Sequence, residues 1–253
     1  MKNLFLVFAL LCFAACEEKK KPGADDTTHD HEHAHEHGEG SGNLTGEQAD
    51  SIVRNTPQVA QDTVNMVALP TMYEGDIVFQ TFASEQCKAI EAATKSKYSH
   101  VGIVFIRPRN GEFVVFEAAL DSVRFVPLRE WVNRGDGQHV LVMRLKGAAK
   151  ILNERKMKLL KEEARKFRRL PYDPYFGWGN DRMYCSELVW KIYHGALSLR
   201  LNHLRKLKSF DLTSELVKKQ LKEKYGKNIP LEEDVISPQD LIDSPLLEKV
   251  YER

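Results

Sequence analysis

The sequence predicts an α+β domain with a mostly antiparallel sheet, set behind a leader and a polar linker. Three observations point there. β-Branched and aromatic runs concentrate between residues 76 and 145, amphipathic helical patterns fill the chain from residue 148 onward, and residues 17–61 carry little apolar periodicity. The boundaries read as residues 1–15 for the leader, 16–64 for the linker and 65–253 for the domain, within the size of a single core.

The leader has Lys2 as its charged start and an apolar stretch from Leu4 to Phe13, the pattern of a secretory signal. Ala14-Ala15-Cys16 resembles a lipobox, although Phe13 stands where Leu is usual. An ordinary signal cleaved after Ala15 is the plainer alternative. Acylation of Cys16 would anchor the chain to a bilayer, each buried methylene contributing about 0.8 kcal/mol. The expected address is the bacterial cell envelope, on the outer membrane, facing the periplasm or the surface.

In the linker His29, His31, His33, His35 and His37 alternate with acidic residues and Ala34. Neutral imidazole binds zinc, copper or nickel, so the tract can collect such ions loosely, with no fixed geometry implied. The plainer reading is a solvated spacer whose charge changes near pH 6.5. With 37 basic against 36 acidic residues, the overall balance asks for neither nucleic acid nor an anionic membrane surface as a partner. No apolar run beyond the leader reaches the roughly eighteen residues of a spanning helix.

The domain opens with Asp76–Phe82, a β-rich run entered through Glu74-Gly75, followed by a short helix with Cys87, Ile90 and Ala93 on one side. His100–Ile106 and Phe113–Leu120 flank Pro108 and Asn110-Gly111, which makes a hairpin. Ser122–Leu128 and His139–Leu145 supply two more strands, with an apolar-tipped segment around Trp131 between them. Ala148–Leu170 reads as one amphipathic helix stopped by Pro171, Cys185–Leu197 as a second, and Asp211–Tyr225 as a third. Ser237-Pro238 starts a fourth, a cap residue followed by Pro at the first turn.

Cys185 stands where a loop rich in Gly and aromatic residues meets a helix, so unpaired N–H groups and the positive dipole end favour its thiolate. Cys87, inside a helix with apolar companions, reads as a buried inert thiol, while a Cys87–Cys185 disulfide is the bland alternative. A thiolate nucleophile needs a base, and His100, opening a strand after polar Lys97-Tyr98-Ser99, is the best placed; His139 competes. Glu117 is a carboxylate in an apolar run, costly if unpaired. A four-residue loop Arg107–Asn110 brings it opposite His100, whereas a two-residue turn at Asn110-Gly111 brings Asp121 there instead.

Taken together, Gly75-Asp76-Ile77-Val78-Phe79, Ser99-His100-Val101-Gly102-Ile103, Phe116-Glu117-Ala118, Pro171-Tyr172-Asp173 and Tyr184-Cys185-Ser186-Glu187-Leu188-Val189, in that order, resemble the permuted papain-like amidases of the YiiX/YaeF type. These are a branch of the NlpC-type hydrolases. The resemblance spans roughly Leu69 to Leu246 and includes Ser237-Pro238-Gln239-Asp240-Leu241. It implies a circularly permuted papain-like fold with His100 preceding Cys185. It also implies Cys185 as nucleophile, His100 as base, Glu117 as third polar residue and Tyr172 as the active-site tyrosine, with no cofactor. The expected substrates are peptide, cell-wall or lipid-derived amides and esters. An acyltransferase using the same site and a non-enzymatic binding lipoprotein are the alternatives.

Overall fold

Six of the seven residues of His100–Ile106 are buried, so this strand must be covered on both faces. The computed structural model describes residues 69–119 and 121–253 and provides that cover. The leader, Cys16, the histidine tract, the linker and Leu120 lie outside the described residues. Six strands form one sheet in the order β4-β3-β2-β1-β5-β8: β1 (Ile77–Gln80), β2 (His100–Ile106), β3 (Phe113–Ala119), β4 (Ser122–Pro127), β5 (Leu141–Leu145) and β8 (Leu247–Glu252). Every ladder in it is antiparallel. A second, two-stranded sheet joins β6 (Arg205–Lys206) to β7 (Asp234–Val235).

Alternation divides the strand residues between two apolar clusters. Val101, Ile103, Phe105 and Phe116 face Leu160, Leu188 and Ile192, on the helices α4 (Glu154–Phe167) and α5 (Cys185–Leu197). Val104, Val115 and Val142 face Trp131 and Val132, on α2 (Leu128–Asn133). The segment around Trp131 is thus a short helix that closes the second face. The helix α1 (Glu85–Thr94) begins where the Ser84 side chain accepts from the Cys87 N–H, α6 (Glu215–Tyr225) follows residue 209, and α7 (Pro238–Ile242) has the expected Ser237 cap.

Three sequence expectations need correction. The helix expected over Ala148–Leu170 is broken into α3 (Ala148–Ile151) and α4, because the Asn153 side chain accepts from the Lys156 N–H at 3.0 Å and restarts the helix. It also ends at Phe167, before Pro171, where Arg169 turns left-handed at φ 69°. The helix expected from Asp211 starts at Glu215, since Ser214 caps it. The hairpin register is Ile106 opposite Phe113, with the Arg107 N–H donating to the Glu112 carbonyl at 2.8 Å, so the loop has two more residues than the four expected. A slip of two leaves every side chain on its face, and His100 and Glu117 still share one.

β2 and β3 approach closely at Gly102. A Cβ there would overlap the Val115 side chain and lie 3.0 Å from the Phe116 carbonyl oxygen, a backbone atom that cannot yield. Gly102→Val is therefore expected to lower stability by about 1–3 kcal/mol, measured as a fall in the urea midpoint at unchanged slope.

Candidate active site

The helix carrying Cys185 is fixed at its first turn by side chains. Tyr184, the extended N-cap residue, donates its backbone N–H to the Glu187 carboxylate at 3.4 Å, and its hydroxyl accepts from the Ile236 N–H at 3.1 Å. The Ser186 hydroxyl donates to the Ile236 carbonyl at 2.8 Å. Burial pushes the Glu187 carboxyl up to about 7, against the opposing pull of Lys191 at 2.7 Å. The start of the helix cannot slide, and Cys185, 6 % exposed, sits at a fixed point on the sheet rim. As the first helical residue it also carries a backbone N–H with no acceptor inside the helix.

His100 is buried at the start of β2 and interacts with both Cys185 and Glu117. Its Nε2 is 2.7 Å from Glu117 Oε2, and the ring also interacts with the Cys185 side chain. Burial alone would lower its affinity for a proton, but the hydrogen bonds with Cys185 and Glu117 outweigh it and raise the group to about 9. His100 is thus an imidazolium at neutral pH. The ring also packs against Phe82 and Trp131, with centroids at 5.3 and 6.1 Å.

Glu117 is fully buried and every one of its contacts supports the anion. Besides His100, Oε2 accepts from Trp131 Nε1 at 2.9 Å and from Arg134, and Oε1 accepts from Arg124 Nε at 3.3 Å. Burial opposes ionisation, yet His100 and Arg134 together hold the carboxyl down at about 2. Arg124 comes from the strand position directly opposite Glu117. Gln80, opposite His100 across β1–β2 and completely buried, completes the floor once its amide nitrogen is turned toward the Trp131 carbonyl at 2.9 Å.

Tyr172 lies on the stretch that pairs with Met183, just before the helix, and its hydroxyl accepts from Gln86 Nε2 at 3.1 Å. Burial and the nearby Cys185 and Cys87 push that hydroxyl well above its ordinary range, so it stays a proton donor. Beside the sulfur opens an apolar cavity of about 120 Å³, walled by Ile90, Phe210, Val217, Leu221 and Val235, with Gln86 at its edge.

The four expected site residues Cys185, His100, Glu117 and Tyr172 are therefore gathered in one place. The two competitors are not. Asp121 is exposed, and His139 is exposed with Nδ1 bonded to the Arg253 carbonyl at 2.9 Å. Cys87 and Cys185 are both free thiols, which removes the disulfide, and Cys87 is only partly buried, with burial raising its thiol. Sequence reasoning missed Trp131, Arg134, Arg124, Gln80 and Gln86. Of these, only Arg124 left a signal, because the ladder that pairs Ala119 with Ser122 puts it across from Glu117.

A buried Cys–His–Glu line, with the cysteine on a helix N-terminus and the histidine on the adjoining sheet, defines the class of papain-like cysteine hydrolases. The order along the chain, histidine first, is the permuted one. The family model for the permuted papain-like amidase enzymes YaeF/YiiX, the C92 family, matches residues 71–251, and the chain belongs to that family. It is 46% identical over 176 residues to the uncharacterized protein YiiX of Escherichia coli strain K12, covering 70% of this chain and 84% of that one. The crystal structure of the metalloprotein YiiX from Escherichia coli O157:H7 superposes with a TM-score of 0.67 at 44% identity, covering 71% of this chain and 97% of that one. The described residues of the present chain do not fit a metal. None group three or more His, Cys, Asp or Glu side chains for an ion, and both oxygens of Glu117 are already taken by N–H donors.

Proposed function

We propose that the protein is an acyl hydrolase in which the Cys185 thiolate attacks an amide or ester carbonyl and carries the acyl group as a thioester. The observation behind this reading is His100 held between Cys185 and Glu117. His100, as imidazolium, protonates the leaving nitrogen or oxygen, then takes a proton from the water that attacks the thioester. Glu117 orients the ring and sustains its charge. The developing oxyanion is met by the free N–H of Cys185 and the protonated Tyr172 hydroxyl, with Gln86 holding that hydroxyl in position. Where an acceptor other than water enters, the same intermediate gives an acyltransferase.

Two substrate classes compete, envelope peptide amides and lipid-derived amides or esters. The apolar cavity beside the sulfur favours the second, because a polar peptide side chain would lose its hydration there without gaining partners. Acylation at Cys16 would give the enzyme an envelope address beside such substrates.

The test is turnover of nitrophenyl esters of rising chain length together with mass spectrometry of the quenched enzyme. kcat/KM is expected to rise several-fold for each pair of methylenes up to the length that fills the cavity, with acyl mass found on Cys185. Ala93→Phe, on the cavity wall, should abolish that rise and spare the acetyl ester. No acyl mass on Cys185 would overturn the mechanism, and a flat chain-length profile would return the substrate to peptides.

A further inference from the structure

The even charge balance of the whole chain conceals a local excess. Between the C-terminal turns of α4 and the edge strand β4 runs a groove of about 570 Å³. Its floor is apolar, made by Phe105, Ile106, Val114 and Phe125, the last exposed to 37 %. Its rim is basic. Lys161 and Arg107 are matched by Glu74 and Glu112, both at 2.6 Å, but the side chains of Arg165, Arg168 and Arg169 form no ion pair among the described residues.

Arg169 is the more telling because of its backbone. It occupies a left-handed position, φ 69°, just past the helix end, where glycine is the usual residue. Its N–H donates to the Val123 carbonyl at 2.9 Å, and the Val123 N–H donates to Leu170 at 2.9 Å, so the strained residue is stitched to the β4 edge. Glycine would fit without strain, and nothing within the described residues uses the guanidinium.

We propose that this groove binds the anionic headgroup of a membrane phospholipid. The forks of Arg165, Arg168 and Arg169 match phosphate oxygens, and the floor with exposed Phe125 takes the glycerol and first methylenes. A free phosphate ion would leave that floor unused. Nucleic acid asks for a longer basic stripe, and the volume is that of a small-ligand site. The groove ends at Ser122, which bridges Pro171 next to Tyr172, so a docked bilayer lies near the mouth of the active site.

Flotation of the full chain with phosphatidylcholine vesicles, with and without phosphatidylglycerol, tests this independently of catalysis. Binding is expected to tighten when phosphatidylglycerol is present and to lose that gain with salt. The variant R165Q/R168Q/R169G, whose glycine suits the left-handed backbone, should bind acidic vesicles about a hundredfold less tightly, at about fivefold per cation. Residues 1–68 are common to both proteins and cancel in the comparison. If the triple variant loses its circular dichroism signal, R168E alone should still weaken binding at least fivefold. Equal binding to both vesicle types, or unchanged binding by a folded variant, would overturn the proposal. So would capture by soluble polyglutamate in preference to acidic vesicles, which would point to an acidic protein.

Discussion

Replacing His100 with alanine is expected to cut hydrolysis by about 10³ to 10⁴ and to change how Cys185 reacts with iodoacetamide as pH varies. In the wild-type protein His100 is raised to about 9, so the imidazolium persists from acid through neutral pH and the pair with the sulfur dissolves only above that value. Alkylation of Cys185 should therefore be rapid and nearly level across neutral pH. In the variant it should climb about tenfold per pH unit toward the ordinary thiol range near 8.5. Peptide mapping by mass spectrometry separates Cys185 from Cys87, whose burial should keep it slow. A rate at Cys185 indifferent to His100 would dismiss the activated pair.

Glu117→Gln is expected to cost about 3–5 kcal/mol, a large share of the stability of a domain this size. The loss follows from what remains: Arg134 and a protonated His100 facing a neutral amide, with Arg124 deprived of its partner. The pH dependence has a definite sign. Glu117 is held at about 2, below its unfolded value near 4.3, so its contribution is complete above about pH 4.3 and disappears as pH falls toward 2. His100 is held at about 9, above its unfolded value near 6.5, so its contribution is complete below about pH 6.5 and disappears as pH rises through 9. Both windows share one hydrogen bond and their energies are not additive. Wild-type Tm should peak between about pH 4.3 and 6.5, and in Glu117→Gln the alkaline limb should retreat toward neutral. A Tm profile unchanged by the substitution would remove Glu117 from its role.

Much of this site was legible because period-two alternation is robust. The hairpin register is two residues from the expected one, yet His100 and Glu117 meet, since a slip of two preserves the face. The helix at Cys185 was readable to the residue, because a loop rich in Gly and aromatics gives way abruptly to an apolar helical pattern. What sequence could not reveal depends on segments far apart in the chain. Trp131 and Arg134 reach Glu117 only because α2 folds over the sheet, and β8 pairs with β5 across a hundred intervening positions with an irregularity at Val142/Met143. The cavity escaped notice for the same reason, having walls from α1, α6, β7 and the stretch around Phe210. Asn153 carried a readable cap signal that the strong apolar periodicity around it overrode.

The permuted order has a consequence for how the protein is made. Gln80, His100, Glu117, Arg124, Trp131 and Arg134 all precede α3, β2 to β4 are joined by short local connections, and β1 reaches β2 through α1. A chain leaving the ribosome or an export channel emerges N-terminal side first, so the proton-relay half of the site can assemble before Cys185 has emerged. The sulfur then meets its base only when α5 docks on β2 and β3. Awakening of the nucleophile is thereby tied to completion of the fold, and a nascent or truncated chain carries an unactivated thiol.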